Sequence, residues 1–443
     1  MPAEWEQKKL VDSTLMDYVH AQMHTQGWGR ERAFISDYFN GQSYITVDQA
    51  LSPYQHNLAQ YVLKKFFEEV NGFTKILETN TDNQAPTFEE IQTDLNQTFR
   101  GYSEAAIGYK TPDGDKVLVI IERQDERQVD YRVYSTENRG DLLKQWLALS
   151  LKDNYYRGKK INAAACFLDL SALTWDDVIL PKKIVHLLKG IVTKAISKQH
   201  LFIKNKIDLK QGVMLSGGPG NGKTTAIKVV AKEVPPSVTV IYAQPSHLMM
   251  AKDVRSVCSM ARDLSPAVLI IEDIDWIAED RNTGDAGRVI ELMNQLDGLE
   301  EFNNVITIAT TNDVDKIEKA VKNRPGRFDR VITIDNPDED CRRRMLKLFT
   351  QHWVIDPDVD IEKVIKFTNE LSGAHMRDLC KTAATKAIYD DSLTPEEIVI
   401  VKACHFEEAV AEVKNKDFAT HMKQKGTDRK MGFNNYDPDD DDY

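Results

Sequence analysis

At 443 residues the chain is long enough for about three domains, and with 42% hydrophobic and 28% charged residues it has the composition of a globular protein with sizeable cores. No uninterrupted apolar run reaches the roughly 20 residues needed to cross a bilayer, so a membrane-spanning protein is not expected. The formal net charge of -12 argues against nucleic acid as the main partner, which is usually met by a basic surface; Lys204, Lys206 and Lys210 form only a local basic group and read as a solvated face.

The first residues, Met1-Pro2-Ala3-Glu4-Trp5-Glu6, lack the basic stretch and apolar run of a secretory signal. The five cysteines (Cys166, Cys258, Cys341, Cys380 and Cys404) are odd in number and contain no CxxC pair, which predicts free thiols and a cytoplasmic location. Residues 3–100 read as mostly helical, from the spacing of Leu10, Leu15, Met16, Tyr18 and Val19 and from a second periodic stretch over Tyr54–Val70. Strands are predicted at Ala105–Tyr109, Lys116–Glu122 and Asp130–Ser135, with turn chemistry in Thr111-Pro112-Asp113-Gly114-Asp115. A helix over Asp141–Tyr156 and a short strand over Ala163–Leu168 complete an α+β N-terminal region, residues 1–170.

Beyond Trp175 the pattern alternates. Val213–Ser216, Val238–Tyr242, Val268–Ile271, Val305–Ala309 and Val331–Ile334 are short β-rich runs separated by helical segments. This predicts an α/β domain over 171–336, a parallel sheet with helices on both faces. Residues 337–418 read as a small helical domain, with one short strand-like run at Ile398–Val401. Residues 419–443 end in a run of aspartates and read as a disordered acidic tail, with Tyr436 and Tyr443 as candidate anchors for a partner.

Gly217-Gly218-Pro219-Gly220-Asn221-Gly222-Lys223-Thr224 has the form GxxxxGK[ST] between an apolar strand and a helix starting with Thr225. Glycines allow successive backbone N–H groups to turn inward on phosphate oxygens, and the helix N-terminus adds positive potential. Lys223 puts a full charge on the β- and γ-phosphates, and the Thr224 hydroxyl is suited to Mg²⁺. Downstream, Val268-Leu269-Ile270-Ile271-Glu272-Asp273-Ile274-Asp275 is a buried strand ending in carboxylates, at the sheet edge where ligands of α/β proteins bind. One carboxylate there suits the Mg²⁺ shell, and its neighbour the attacking water.

With Leu292–Gly298, Ile308-Ala309-Thr310-Thr311-Asn312 and Arg324-Pro325-Gly326-Arg327-Phe328-Asp329-Arg330, the series resembles the AAA+ superfamily, and within it the AAA clade, over Trp175–Phe418. The acidic strand end and the approach Trp175–Gly212 look most like the mitochondrial translocase type that inserts the Rieske iron–sulfur protein, although that family's membrane span is missing. The resemblance implies ATP and Mg²⁺ as ligands, Glu272 and Thr224 toward the metal, Asp273 as the water-activating group and Asn312 as the sensor of the lytic water. It also implies Arg324 and Arg327 as arginine fingers given to a neighbouring subunit of a ring such as a homo-hexamer. Gly373 and Ala374, in Leu371–Leu379, fall on the lid position that meets the nucleotide, while Arg377 reads as a second sensor or as lid packing.

Two departures stand out. The order Glu272-Asp273 exchanges the usual Asp-Glu, as it does in the Rieske translocase type. Ser246–Lys252 replaces the aromatic–apolar–Gly pore loop of threading members, and its Met249 and Met250 either pack in a core or grip a chain loosely. The expected function is a ring-forming ATPase that remodels, unfolds or translocates a protein client chosen by the N-terminal region. A nucleic-acid-linked ATPase and a nucleotide-gated scaffold with weak turnover are the alternatives.

Overall fold

The computed structural model describes residues 28–136, 139–191, 211–278, 287–297, 304–313 and 330–413, with Lys198, Leu201, Lys204, Asn205 and Phe328 between them. The first half is built on an antiparallel sheet of six strands: β1 (Ile45–Leu51), β2 (Thr74–Thr79), β3 (Thr87–Asp94), β4 (Gln97–Lys110), β5 (Lys116–Asp125) and β6 (Gln128–Ser135). Their order is β1-β6-β5-β4-β2, with β3 also paired to β4. The expected strands lie inside β4, β5 and β6. The expectation of a mostly helical stretch up to residue 100 is corrected by β1, β2 and β3. These carry many half-exposed polar residues, so the alternation of a core strand is diluted; β2, for example, has only Thr79 buried.

Alternation along β4 and β5 sends side chains to two cores. Ala105, Ile107, Tyr109, Val117, Val119 and Ile121 face one side, where α2 (Pro53–Lys64) and α3 (Leu142–Lys152) pack through Val62, Leu63, Leu143 and Trp146. Ala106, Leu118 and Ile120 face the other, under Ile35 and Phe39 of α1 (Trp28–Phe39). Ser52 fixes the start of α2: its hydroxyl accepts from Gln55 N–H, its own N–H donates to the Gln55 side chain, and Pro53 opens the helix.

The second sheet has the strand order β12-β8-β11-β10-β9-β7 and is parallel throughout. Its members are β7 (Lys160–Asn162), β8 (Gln211–Ser216), β9 (Thr239–Ala243), β10 (Ala267–Ile271), β11 (Val305–Thr311) and β12 (Arg330–Thr333). Five of these are the β-rich runs read from the sequence. The sixth, β7, replaces the strand expected at Ala163–Leu168, of which only Phe167 bridges back to Ile161. The sequence pattern divides the chain at residue 170, yet β7 hydrogen-bonds β9 and lies in the parallel sheet.

The helices around this sheet are α4 (Lys182–Gly190), α5 (Lys223–Glu233), α6 (Ala251–Asp263), α7 (Ile274–Ala278) and α8 (Gly287–Asp297). A helical lid follows, with α9 (Glu339–Phe349), α10 (Ile361–Phe367), α11 (Gly373–Tyr389) and a helix over 403–413. Two short strands, β13 (Val354–Ile355) and β14 (Ile400–Val401), tie the lid together. None of the described helices is long and apolar enough to cross a membrane. Cys258, Cys341 and Cys380 are buried, and Cys166 and Cys404 are exposed; all five are free thiols.

The N-terminal sheet domain is docked on the β7–β9 edge of the parallel sheet through aromatic residues. Tyr54 and Leu58 of α2 share one core with Tyr156, Ile161, Ile241, Val254 and Val257. The Tyr156 ring stands 5.6 Å from Tyr54 and 5.5 Å from Phe167, and Asn57 and Asn154 bond the Tyr156 and Tyr54 hydroxyls at 2.8 and 2.6 Å. Polar contacts hold both ends of α6. Arg127, from the β5–β6 hairpin, meets the Asp253 carboxylate at 3.3 Å, and Arg157 donates to the Asp263 carbonyl at 3.2 Å.

Burial pushes the Asp263 carboxyl up to about 6, although Arg262 and Arg157 pull it down. An aspartate in the unfolded chain titrates near about 3.9. The folded state therefore holds the proton more tightly. Stability falls as pH rises between these values, and the penalty is fully present above about 6. Asp263→Asn is expected to stabilise the fold at pH 7.5 by about 1–2 kcal/mol, with the gain vanishing near pH 4, read from denaturant midpoints at the two pH values.

Candidate nucleotide site

The phosphate-loop sequence links β8 to α5. Gly222, in the left-handed region at φ 85°, is the residue before α5, and Lys223 opens the helix. Close approach explains two other glycines. A Cβ at Gly217 would stand 2.0 Å from the Ile334 carbonyl oxygen, and one at Gly220 (φ 79°) would stand 2.6 Å from the Ala374 Cβ. Asn221 is buried and donates to Asn336 Oδ1 at 3.0 Å, while Asn336 in turn donates to the Glu370 carbonyl at 2.8 Å. The loop is thus tied to the chain leading into the lid.

Lys223 is 6% exposed. Its ammonium donates to three acceptors, the carbonyls of Gly217 (2.7 Å) and Gly218 (2.9 Å) and the Asn312 Oδ1 (2.7 Å). Burial lowers its pKa, and the charges of Asp273 and Asp275 work the other way. Asn312, at the end of β11, also donates its amide to Asp273 Oδ1 at 3.2 Å, so one side chain links the lysine to the acidic strand end. Asp273 leaves β10 in the left-handed region (φ 45°), a conformation that aspartate tolerates better than most residues, and its N–H donates to Thr310 Oγ1 at 2.9 Å. Burial raises the Asp273 pKa, and Asp275 and Glu272 add to it. Asp275 is buried and accepts from the Asn312 N–H at 3.2 Å. It belongs to the site as a third carboxylate that the sequence pattern did not assign, and its place at the end of Val268–Asp275 was the available signal.

Glu272 is 5% exposed beside the Tyr242 phenol, whose pKa is raised by burial and by the Glu272 carboxylate. Its Oε1 is buried with no hydrogen-bond partner among the described residues. A buried, unsatisfied carboxylate oxygen is costly unless something positive meets it, and a carboxylate oxygen suits a hard divalent cation.

A cleft of about 540 Å³, within the range of small-molecule sites, opens beside the loop. Pro219, Gly220, Gly222, Lys223, Thr224, Thr225, Asp273 and Asn312 form one side, and Gly373, Ala374 and Arg377 of α11 face them. The lid meets the loop directly, since Ala374 N–H donates to the Gly220 carbonyl at 2.9 Å.

Two walls were not foreseen. Val178-Ile179-Leu180 runs extended between the halves, with Val178 and Leu180 in the core of the parallel sheet and Ile179 in that of the lid. Met345, Leu348 and Phe349 of α9 supply the other apolar wall. The period-two apolar triplet was the available signal for the first. Arg324 and Arg327 lie outside the described residues. Met249 and Met250 are 47% and 50% exposed, so the core-packing reading of this pair is corrected.

Gly220→Ala tests the contact between loop and lid. The strained φ and the clash with Ala374 are expected to cost about 1–3 kcal/mol and to weaken nucleotide binding at least tenfold. Adding Ala374→Gly removes the clash and should restore part of the affinity, measured by calorimetric titration with ADP.

Residues 213–336 match the family model described as "ATPase family associated with various cellular activities (AAA)". Curated relatives include the "Cell division cycle protein 48 homolog" of Archaeoglobus fulgidus, 34% identical over 229 residues, which are 49% of this chain and 30% of the relative. The "Proteasome-activating nucleotidase" of Methanothermobacter thermautotrophicus is 36% identical over 217 residues, 46% of this chain and 52% of the relative. "Protein CdcH" of Halobacterium salinarum is 33% identical over 261 residues, 54% of this chain and 35% of the relative. The chain thus spans no more than about half the length of these relatives. Phosphate loop, acidic strand end and Asn312 all fall within the matched stretch, and the chain carries an AAA-family ATPase domain.

Proposed function

We propose that the protein is a ring-forming, Mg²⁺-dependent ATPase that uses ATP hydrolysis to remodel a protein client. The observation that carries the hydrolytic part is the chain Lys223–Asn312–Asp273 within one cleft. The α5 N-terminus and Lys223 hold the phosphates. Asp273 takes a proton from the attacking water as its oxygen bonds to the γ-phosphorus and the bond to the β-phosphate oxygen breaks. Asn312 fixes where that carboxylate stands. Thr224 and Glu272 are the residues that would hold Mg²⁺, which when bound neutralises phosphate charge.

Asp273→Asn is expected to keep ADP binding within about threefold and to lower turnover at least 100-fold. Unchanged turnover would remove Asp273 from the role of base.

The ring is proposed from the Arg-Pro-Gly-Arg run and from relatives whose names include a proteasome-activating nucleotidase. An arginine at this step acts on a γ-phosphate held by the adjacent subunit. Lys223→Ala subunits and Arg324→Ala/Arg327→Ala subunits, each inactive alone, should therefore regain turnover when mixed, because some interfaces then pair an intact loop with intact arginines. Mixtures that stay inactive at every ratio would sink the shared site.

The client is proposed to be protein because the net charge is -12 and because the N-terminal domain forms a separate antiparallel sheet outside the matched family stretch. The finer likeness to the Rieske-protein translocase type rests on the Glu272-Asp273 order and the Trp175–Gly212 approach. The half-exposed Met249 and Met250, in place of an aromatic pore loop, suit a loose apolar grip on varied segments.

A further inference from the structure

Two buried oxygens at the acidic end of β10 have no hydrogen-bond partner among the described residues: Oε1 of Glu272 and the hydroxyl of Tyr242. They sit on neighbouring strands. In the parallel pair β9–β10, Tyr242 lies opposite Ile270 and Ala243 opposite Ile271. The Glu272 N–H carries the pairing one residue further, donating to the Ala243 carbonyl at 2.9 Å. Residues two apart on a strand share a face, so Glu272 stands on the Ile270 side, which is also the Tyr242 side. Tyr242 and Ile270 pack there with Ala226, Ile227 and Val230 of α5. Tyr242 is 4% exposed and Glu272 5%, so water does not satisfy either group.

The two orphans are complementary. A phenol has one proton to donate, and a carboxylate can only accept. Left apart, each is a buried polar group without compensation. The Tyr242 ring is fixed by the core around it and by the Lys228 ammonium, 5.6 Å from the ring centroid. Its hydroxyl proton is free to turn about the C–O bond. Glu272, in contrast, has three side-chain torsions to immobilise, one more than the aspartate usual at this place in the AAA clade. A longer carboxylate needs an anchor that a shorter one does without. We propose that Tyr242 is a positioning residue for Glu272, its phenol donating to the carboxylate and so aiming the longer side chain at the Mg²⁺ position. Each carboxylate oxygen has two lone pairs, so one donor leaves room for a cation. Partners of this kind typically change metal affinity about 10- to 100-fold when removed. The proposal rests on the reading of Glu272 as a residue that holds Mg²⁺.

The test uses the full chain and calorimetric titration with AMP-PNP, in EDTA and across a series of Mg²⁺ concentrations. Tyr242→Phe removes the hydroxyl and keeps the ring. It is expected to leave AMP-PNP affinity in EDTA within about twofold and to raise the Mg²⁺ concentration for half-maximal effect at least tenfold. ATP turnover should recover to within about threefold at saturating Mg²⁺. Glu272→Asp draws the carboxylate away from the phenol and should raise the Mg²⁺ requirement of the native protein. Added to Tyr242→Phe it should raise it by a smaller factor, because the bond is already lost. An unchanged Mg²⁺ requirement in Tyr242→Phe, equal weakening with and without Mg²⁺, or fully multiplicative effects in the double variant would each overturn the positioning role. Glu272→Gln separates this from the underlying reading: if it leaves the Mg²⁺ requirement unchanged, Glu272 does not hold the metal, whatever Tyr242→Phe does.

Discussion

A nearly buried ammonium sets the terms for the centre of this molecule. Lys223 has three protons to place and little water to receive them, and burial of an unpaired charge costs several kcal/mol. Two of the protons go to the carbonyls of Gly217 and Gly218, which turns the loop back over the first turn of α5. The third goes to Asn312, which brings the end of β11 next to the end of β10. The parallel order of β8, β11 and β10 makes this possible, because it sets the three strand ends side by side. The glycines follow from the same closeness. Packed this tightly against Ile334 and Ala374, positions 217 and 220 have no room for a side chain.

The acidic end of β10 is stabilised from the other direction. Three carboxylates within four residues would repel each other, and the neighbours Asp275 and Glu272 do raise the Asp273 pKa. Asn312 offsets part of this by serving two of them, through its amide to Asp273 and its backbone N–H to Asp275. The same residue also accepts from Lys223. A change at any of the four groups is therefore felt by the other three, as expected of a hydrogen-bonded network in a low-dielectric setting.

The parts legible in the sequence were those written in consecutive residues or in strongly buried runs. The phosphate loop is a contiguous string, and β9, β10 and β11 are buried throughout and rich in β-branched residues. The parts that escaped are made by partnership at a distance. β2 and β3 are strands because β4 lies beside them; their own side chains are largely polar and half exposed. β7 is three residues long and takes its identity from β9. Val178-Ile179-Leu180 looks like a linker until the lid core and the sheet core are seen to claim alternate side chains. Asp275 was visible as a residue, but its bond to Asn312, 37 positions away, was not.

One junction has a mechanical meaning. The Asp253 Oδ2 that meets Arg127 of the N-terminal hairpin also accepts the backbone N–H of Met250 at 2.9 Å. The far end of the same helix is held by Arg157. The helix is in effect a lever with both ends pinned to the N-terminal domain and with the exposed methionines mounted at one pin. Between the two pins the helix is also held by the apolar core, where Val254 and Val257 pack with Tyr54 and Leu58. α6 also packs against β10, so one helix is shared by the N-terminal sheet, the parallel sheet and the exposed methionines.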